Sequence, residues 1–417
     1  MNYKQAREYI KSLTARGIVP GLSNISALCK KLGNPQDGLN FVHIAGTNGK
    51  GSVGAFLESV IQSCGKTSGR FVSPFVNEYL ETFTINGEMI SQSDYTGFVT
   101  VIKKAVEELN LQGVFPTAFE AETAIAFLFF AKYKPDYILL ECGMGGLLDS
   151  TNIIQNPLLS VITSVSKDHS AFLGDTEAEI AKQKAGIIKR NTKVVSAVQK
   201  YGVEAVIRAE CELKSAQLFI AENITDIKYL PDKTEFLFEN ENYVIPLCGT
   251  YQPYNAVTAI KAAKLIGFGY KNIYEGLKKT QWQYRFERMG KYILDGAHNT
   301  EAAERLAESL KIYLAGRRTA FICGCFKDKD YKSIVKQTAP YADSVFCITP
   351  PSDRGLDSDI LRAEFENNGV KSVACDCDVK TAIRLSEEFE NVVVFGSLSI
   401  LSEVKRCIKE IEKNAKM

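Results

Sequence analysis

Apolar and polar positions along the chain follow the pattern of an α/β protein. Short apolar runs, which predict buried strands, alternate with longer segments that carry one apolar face and predict helices. In the first part of the chain the predicted strands are Phe41–Ala45, Gly69–Val72, Tyr137–Glu141 and Leu159–Val165. The predicted helices there are Phe119–Lys132, Glu177–Ile188 and Tyr254–Leu265. Strands that alternate with helices favour a parallel sheet.

Two later segments change this pattern. Residues Leu218–Val244 consist of short alternating runs divided by polar turns, and they predict a set of antiparallel hairpins. The α/β pattern then restarts near residue 286, with a helix over residues 302–314. The predicted strands of this part are Tyr292–Leu294, Thr319–Cys323, Ser344–Ile348 and Asn391–Phe395. We therefore expect a first domain over residues 1–285 and a second, smaller α/β domain over residues 286–417.

A glycine-rich turn in the stretch FVHIAGTNGKGSVGAFLESV joins the first predicted strand to a helix. The turn consists of Gly46, Thr47, Asn48, Gly49, Lys50, Gly51 and Ser52. Backbone N–H groups and the dipole at a helix N-terminus attract phosphate, while Lys50 adds positive charge and Ser52 offers a hydroxyl to Mg²⁺. The spacing departs from the usual phosphate-binding loop in two ways. Two residues rather than four separate the first glycine from the Gly–Lys pair, and a glycine stands between the lysine and the serine. A turn without a ligand is the alternative, but it leaves the lysine and the serine unexplained.

Composition narrows the class of protein. The 417 residues are 45% hydrophobic and 24% charged, which is typical of a folded protein of two or three domains. A net charge of +1 gives no general attraction for nucleic acid or an anionic membrane, so we expect neither as a partner. Eleven cysteines without a zinc-type spacing, a polar N-terminal helix and no membrane-length apolar run predict reduced thiols in a cytoplasmic protein.

Three further positions carry candidate chemistry. Glu141 ends a predicted strand, at the sheet edge where ligands bind in α/β proteins, and is a candidate Mg²⁺ ligand or else a loop cap. His169, beside Asp168 in a loop after the next strand, is a candidate metal ligand or a solvated side chain. His43 is expected in the core. The sequence DGAHN at residues 295–299 lies between a strand and a helix, where its Asp and His could contact a ribose, a phosphate or a carboxylate.

The ordered motifs GTNGKGS, SPF, FEAETA, ECGMGGLLDSTN, DHSAFLGDTEAEIAKQKAGIIK, QPYNA, LDGAHN and CFKDKD resemble those of folylpolyglutamate synthases. Bacterial members of this family often also act as dihydrofolate synthases, and the family belongs to the Mur-ligase superfamily. The resemblance covers nearly the whole chain. It accounts for the loop spacing, because this superfamily places a small residue between the lysine and the serine or threonine. The implied fold is a P-loop-type parallel-sheet ATPase domain followed by a smaller Rossmann-like α/β domain that carries glutamate ligation.

The resemblance implies an ATP-dependent amide ligase. The acceptor carboxylate attacks the γ-phosphate, and the amine of L-glutamate then displaces phosphate from the acyl phosphate. The expected acceptors are folate and dihydropteroate. The expected cofactors are ATP and two Mg²⁺ ions, with a requirement for K⁺ left open, and the enzyme is expected to be a monomer.

Matching positions carry the family's residue roles over to this chain. The triphosphate site would be the loop of residues 46–52, aided by Asn255, Arg285 and Asp295. The metal ligands would be Ser52, Ser73, Glu141, His169 and a carbamylated Lys184. The catalytic residues would be Lys50, Lys184 and His298. The substrate contacts would be Thr117, Leu148, Asp149, Ser150 and Ser397, the last of them near glutamate.

Several positions depart from the family pattern and gather near the expected folate side. They are Phe75, Thr82, Leu147, Gln183 and Tyr251, where the family has His, Arg, Arg, Glu and His. Two other functions therefore stay open: a Mur-type ligase acting on a different carboxylate, and a non-catalytic nucleotide-binding relative. The segment LGNPQ argues against the first, and the intact ion-binding positions argue against the second.

Overall fold

The structure is a computed structural model and describes residues 1–415. It divides the chain into two units, and each unit takes two segments of the chain. The first unit contains residues 1–223 and 254–279, and the second contains residues 224–253 and the described residues from 280 onward. Among the described residues, no helix is long and apolar enough to cross a membrane.

The first unit is built on an eight-stranded sheet. Strands β1 to β8 are Phe41–Ala45, Ser68–Phe71, Phe83–Ile85, Glu88–Met89, Tyr137–Glu141, Leu159–Ile162, Lys193–Ala197 and Gln217–Ala221. Helices α1 to α10 are Tyr3–Ser12, Ser23–Lys31, Lys50–Ser63, Gln92–Asn110, Ala118–Tyr133, Ser170–Leu173, Glu177–Ala185, Tyr201–Lys214, Gln252–Ile266 and Tyr270–Lys279. The strand order is β4-β3-β2-β5-β1-β6-β7-β8. Strands β2, β5, β1, β6, β7 and β8 run parallel to one another, and β3 and β4 form an antiparallel edge beside β2.

Helices cover both faces of this sheet, which is why its central strands are apolar along their whole length. On one face α1, α2, α4 and α5 pack on the sheet, and the ring of Phe41 meets Phe127 edge-to-face at 5.7 Å. On the same face α7 and α8 pack against β6 and β7. On the opposite face α3 packs on the sheet, where Nη2 of Arg70 in β2 donates to the Gly51 carbonyl at 2.6 Å. Side-chain caps fix several helix starts: Thr117 before α5 and Thr176 before α7 each form a capping box with a glutamate.

The second unit contains two sheets. Strands β9 to β11, Ile224–Tyr229, Thr234–Phe238 and Glu241–Ile245, form an antiparallel sheet. Strands β12 to β17 are Glu287–Met289, Tyr292–Leu294, Thr319–Cys323, Ser344–Cys347, Lys371–Ala374 and Asn391–Phe395. Their order is β12-β13-β17-β14-β15-β16, and all except β12 run parallel. Helices α11 to α15 are Thr300–Tyr313, Tyr331–Thr338, Ser358–Asn367, Val379–Leu385 and Leu398–Ala415.

The predicted fold class, a parallel-sheet domain followed by a smaller α/β domain, is confirmed, but the hairpin prediction was wrong at its start. Residues 217–221 form β8, which pairs parallel with β7 in the large sheet. A short apolar run at a sheet edge has the same length and composition in either orientation, so the pattern alone did not separate the two. Only the strands from Ile224 onward form the predicted antiparallel set.

The division of the structure also differs from the domain boundary expected at residue 285. Residues 224–253 belong to the second unit because they contact helix α11. The ring of Tyr229 lies 6.1 Å from that of Tyr313, and the backbone N–H of Thr250 donates to Oγ of Ser309 at 3.0 Å. The chain returns to the first unit for residues 254–279, where α10 packs against α3.

The contact between α10 and α3 depends on Gly276. A Cβ at this position would lie 2.5 Å from Cα of Val60, and Oγ of Ser59 donates to the Gly276 carbonyl at 2.6 Å. Gly276→Ala should therefore lower the free energy of unfolding by about 1–3 kcal/mol, because the two helix backbones must separate. Calorimetric unfolding measures this. Gly202→Ala in α8 is the control: a Cβ there meets open space, and equal loss in both variants would contradict the packing argument.

Candidate functional site

The glycine turn lies between β1 and α3 and packs closely on its surroundings. A Cβ on Gly46, whose φ is 155°, would lie 1.8 Å from Oγ1 of Thr163. Gly49 precedes α3 with a left-handed φ of 88°, and a Cβ there would lie 2.5 Å from Oδ1 of Asn255. Both positions therefore require glycine for space as well as for backbone conformation.

The segment after β6 holds the turn in place. The backbone N–H of Thr47 donates to the Ser164 carbonyl at 2.7 Å, and Oγ1 of Thr47 donates to the Ser166 carbonyl at 3.0 Å. Nζ of Lys50 donates to the carbonyls of Gly46 and Thr47 at 3.0 and 3.3 Å. The ammonium is thus folded over the turn, at the helix N-terminus where a phosphate binds.

The candidate metal ligands follow strands that lie side by side. In the parallel register, Glu141 at the end of β5 pairs with Ile44 of β1, and Ile162 of β6 pairs with Ala45. The carboxyl ends of these strands therefore meet at the edge that also carries the turn, with Glu141 and Ser52 both buried. Ser73 follows β2, which pairs with β5, and His169 follows β6 with its Nε2 3.9 Å from Oδ2 of Asp168.

Lys184 is buried at the end of α7, although a helix lysine is ordinarily exposed. Burial, together with the nearby positive charge of Lys50, lowers its pKa from 10.5 to about 7. The turn after β5 packs against the backbone at this point, because the N–H of Leu147 donates to the Gln183 carbonyl at 2.6 Å. A Cβ on Gly146 would lie 2.9 Å from the Lys184 carbonyl.

The predicted substrate contacts differ in their exposure. Leu148 is 44% exposed, whereas Thr117, Asp149 and Ser150 are buried. The hydroxyl of Thr117 accepts from the N–H of Glu120 and caps α5. Leu148 is therefore the one of these four side chains that a ligand can reach without a change in the protein surface.

Other exposed apolar side chains lie on segments that are hydrogen-bonded to the turn after β5 or to one another, and the sequence alone did not single them out. The Leu148 carbonyl accepts a long hydrogen bond, 3.5 Å, from the N–H of Gly21, which follows the exposed Ile18 and Val19. Arg16 Nη1 donates to the Pro116 carbonyl at 2.6 Å, next to Phe115, which is 52% exposed. Exposed aliphatic and aromatic residues in otherwise polar connecting segments were the sequence signal.

In the second unit, Asp295 is the centre of a buried cluster. Its Oδ2 accepts from the hydroxyl of Tyr251 at 2.6 Å and from the N–H of Phe286 at 2.9 Å, and its Oδ1 accepts from the N–H of Ala297 at 2.8 Å. Burial raises the pKa of Asp295, and the Tyr251 hydroxyl opposes that rise. Tyr251, which stands where the family has His, thus makes a specific contact in this chain.

Arg285 and His298 lie beside this cluster. The guanidinium packs on Gly296, where a Cβ would lie 1.9 Å from Nη1, and Nη1 donates to the Tyr284 carbonyl at 2.9 Å. Nδ1 of His298 lies 2.8 Å from the Gly296 carbonyl, so that Nδ1 carries the proton. Oγ of Ser397 lies 2.8 Å from Oγ of Ser399. Asn255 belongs to the first unit, where its Oδ1 would lie 2.5 Å from a Cβ on Gly49.

Comparison with known proteins agrees with this geometry. The Mur ligase middle domain family matches residues 44–263, and the Mur ligase glutamate ligase domain family matches residues 284–398. The dihydrofolate synthase/folylpolyglutamate synthase of Bacillus subtilis is 35% identical over 98% of this chain and 99% of its own length.

This chain belongs to the folylpolyglutamate synthase/dihydrofolate synthase family of Mur ligases. The folylpolyglutamate synthase of Lacticaseibacillus casei is 31% identical over 98% of this chain and 99% of that protein. The Mycobacterium tuberculosis folylpolyglutamate synthase complexed with ADP and AMPPCP superposes with a TM-score of 0.88, at 27% identity, over 98% of this chain and 99% of that one.

The cysteines and His43 of this family member are in the states expected from the sequence. All eleven cysteines are free thiols, as predicted. His43 is fully buried in β1, which confirms its place in the core. Its hydrogen-bond partner Thr151 was not singled out from the sequence, because a threonine in a polar motif gives no sign of burial.

The fit around Gly49 predicts the behaviour of a single substitution. Gly49→Ala should lower the affinity for ATP at least about ten-fold, because the methyl group collides with Asn255 and strains the left-handed residue that starts α3. Calorimetric titration with ATP measures this. Gly65→Ala is the control, since Gly65 has a φ of 69° but open space around it. The same loss of ATP affinity in Gly65→Ala would contradict the assignment of the turn.

Proposed function

We propose that this chain is an ATP-dependent ligase that adds L-glutamate to folate and also to dihydropteroate. The observation that carries the proposal is the glycine turn of residues 46–52, with Lys50 folded over it and Glu141 at the same sheet edge. The family's names supply the substrates: the relative from Bacillus subtilis is a dihydrofolate synthase/folylpolyglutamate synthase, and the one from Lacticaseibacillus casei is a folylpolyglutamate synthase.

The reaction takes place in two steps. An oxygen of the acceptor carboxylate attacks the γ-phosphorus of ATP, the bond to the β-phosphate oxygen breaks, and ADP leaves. The amine of glutamate then attacks the acyl carbon, loses a proton and displaces inorganic phosphate, so that an amide forms. Both steps bring anions together, so positive charge from Lys50 and backbone N–H groups at the start of α3 lowers the barrier.

Mg²⁺ is the metal that the donor set fits. Among the described residues, no three His, Cys, Asp or Glu side chains gather into a preformed metal site. The buried carboxylate of Glu141 and the hydroxyls of Ser52 and Ser73 are hard oxygen donors, which suit an ion that also binds phosphate oxygens. These residues would hold Mg²⁺ with His169, and the bound ion would neutralise charge on the triphosphate. Whether K⁺ is also required is a variable for the assay.

Lys184 is proposed to carry a carbamate. Its neutral amine adds to the carbon of CO₂ and loses a proton, which turns an ammonium into a carboxylate-like group able to hold a second Mg²⁺. Burial favours this reaction, because a pKa of about 7 leaves much of the amine uncharged near neutral pH. The neighbouring charge of Lys50 favours it as well, because the carbamate converts a repulsion into an attraction.

The acceptor is proposed to bind beside the turn that follows β5. The side chains of Leu148, Leu147, Phe115 and Val19 are exposed and would give a flat pterin apolar contacts, whereas Thr117, Asp149 and Ser150 are buried. The substitution of Leu147 for the family's Arg makes this surface more apolar. The charged part of the acceptor must then be held by other residues.

Residues of the second unit complete the proposal. Arg285 and Asp295, with Asn255 of the first unit, are proposed to contact ATP, and His298 and Ser397 to contact glutamate. The hydrogen bond from Nδ1 of His298 to the Gly296 carbonyl fixes the imidazole as the tautomer protonated on Nδ1. We infer a cytoplasmic monomer, in keeping with the free thiols.

The decisive experiment measures ADP release and product mass with ATP, Mg²⁺ and glutamate. We expect a glutamate mass increment on tetrahydrofolate and another on dihydropteroate, and none without acceptor. Lys50→Ala should abolish both, because the charge over the turn is lost, and Lys182→Ala, an exposed lysine on α7, should abolish neither. ADP release without any mass increment would mean a different carboxylate acceptor, and substantial ligation by Lys50→Ala would contradict the loop assignment.

Lys184 predicts a dependence on pH and CO₂. Protonation of the amine prevents carbamate formation, so activity should fall as pH drops below about 7 and should recover partly when bicarbonate is raised at fixed pH. Initial rates between about pH 6 and 8 measure this.

Substitution of Lys184 gives an independent check. Lys184→Ala should be inactive, and acetate or formate should restore part of the activity by supplying the missing carboxylate. The same salts should not rescue Lys50→Ala. If acetate and formate do not restore activity to Lys184→Ala and the wild-type rate does not change with bicarbonate, Lys184 carries no carbamate.

A further inference from the structure

A chain of buried hydrogen bonds joins β1 to the turn that follows β5. His43 is fully buried in β1, and its Nε2 lies 2.8 Å from Oγ1 of Thr151 and 3.2 Å from Sγ of Cys142. Oγ1 of Thr151 in turn lies 2.6 Å from Oδ1 of Asp149. His43 and Thr151 have no part in the chemistry described so far.

The directions of these bonds follow from the proton inventory. An ionised carboxylate only accepts, so the hydroxyl of Thr151 donates its one proton to Asp149. Its oxygen then accepts from Nε2–H of His43, which fixes the imidazole as the tautomer protonated on Nε2. Burial lowers the pKa of His43 to about 3, so the ring stays neutral. Among the described residues, Nδ1 has no hydrogen-bond partner that would draw the proton to the other nitrogen.

The Asp149 carboxylate joins the two ends of the turn. Its Oδ2 accepts from the N–H of Met144 at 2.8 Å, and its Oδ1 accepts from the N–H of Thr151 at 3.0 Å. Leu148 and Ser150 are its chain neighbours, so the orientation of this carboxylate sets the orientation of both. Burial raises the pKa of Asp149, and the donors from Met144 and Thr151 oppose that rise.

The same turn is fastened to the end of α7 through Asn152. Its Nδ2 donates to the carbonyls of Leu147 and Gly186 at 3.0 and 3.1 Å, and Nζ of Lys189 donates to its carbonyl at 2.9 Å. Asn152 thus fixes where the turn lies on α7. It leaves the inner side of the turn, around Asp149, to be fixed by Thr151 and His43.

We propose that Thr151 and His43 are positioning residues for the acceptor: they hold the Asp149 carboxylate so that the turn presents the exposed Leu148 to the folate or pteroate. This inference rests on the proposed function and adds two residues to it. Both are buried and act through Asp149.

The test compares the effect of each substitution on KM for the acceptor with its effect on KM for ATP. Thr151→Val keeps the shape of the side chain and removes the hydroxyl, so the Asp149 carboxylate loses one of its donors. KM for the acceptor should rise about ten-fold, and KM for ATP should change by less than about two-fold. His43→Leu should likewise raise KM for the acceptor and leave KM for ATP nearly unchanged. His43→Gln keeps an N–H donor at similar reach, so its KM for the acceptor should stay close to the wild-type value.

Thr258→Val is the matched control. Thr258 is a buried threonine of α9 in the same unit, and its hydroxyl donates only a local bond to the Tyr254 carbonyl at 2.9 Å. Its acceptor KM should stay at the wild-type value. Equal changes in acceptor and ATP KM for Thr151→Val, or the same acceptor effect in Thr258→Val, would overturn the inference in favour of general damage to the fold.

A spectroscopic measurement checks the chain of bonds without relying on turnover. The protein contains only three histidines, so ¹⁵N-labelled imidazoles can be assigned by single substitutions. His43 should carry its proton on Nε2, should not titrate between about pH 5 and 8, and should shift in Thr151→Val. A proton on Nδ1, or titration in that range, would overturn the inference.

The two levels of failure are distinguishable. If the wild-type protein adds glutamate to no acceptor, the proposed function fails. If the wild-type protein is active but its acceptor KM does not respond to Thr151→Val, only the positioning role fails.

Discussion

The fit of the glycine turn against the segment after β6 is the constraint on which the rest of the site depends. Gly46 lies where a single extra carbon would overlap Thr163, and Thr47 bonds to the backbone of Ser164 and Ser166. Because β1 and β6 are neighbours in a parallel sheet, this contact fixes the start of α3 relative to every strand end at that edge. Lys50 and Ser52 obtain their positions from it, and Glu141 is brought to the same edge by the pairing of β5 with β1.

The environment of this edge also decides the charge states of its groups. Lys184 lies buried near Lys50, and both effects lower its pKa, so it is poised to lose its proton near neutral pH. His43 lies within β1 and stays neutral because it is fully buried. One sheet edge therefore presents a fixed cation at Lys50 and a convertible group at Lys184, while the polar chain from His43 stays within the core.

The positions of the central strands and of the glycine turn could be predicted from the sequence because each depends on local pattern. The spacing of GTNGKGS specifies a strand, a turn and a helix, and YILLE specifies a buried strand that ends in an acid. The edge strand β8 could not be predicted, because a four-residue apolar run carries no information about the direction of its partner. The assignment of residues 224–253 to the second unit depends on contacts with α11, which are distant in sequence.

Burial was the property of the site that the sequence could least determine. Lys184 on α7 has the sequence of an exposed helix lysine, and Asp149 and Ser150 have the sequence of a solvated turn, yet all three are buried. Their burial follows from the close approach of the turn at Gly146 and Leu147 to the end of α7, which brings two distant segments together. Tyr251 likewise departs from the family pattern in sequence, and only the structure gives its partner, Asp295.

In the proposed reaction, the glycine turn delivers the γ-phosphate of ATP to the acceptor carboxylate. Transfer of ¹⁸O from a carboxylate-labelled folate to inorganic phosphate, followed by mass spectrometry during glutamate addition, tests it most directly. One labelled oxygen should appear in phosphate for each amide formed from the labelled carboxylate, because the acyl phosphate breaks between its carbon and that oxygen. Amide formation with unlabelled phosphate would contradict an acyl-phosphate intermediate, and with it the role assigned to the turn.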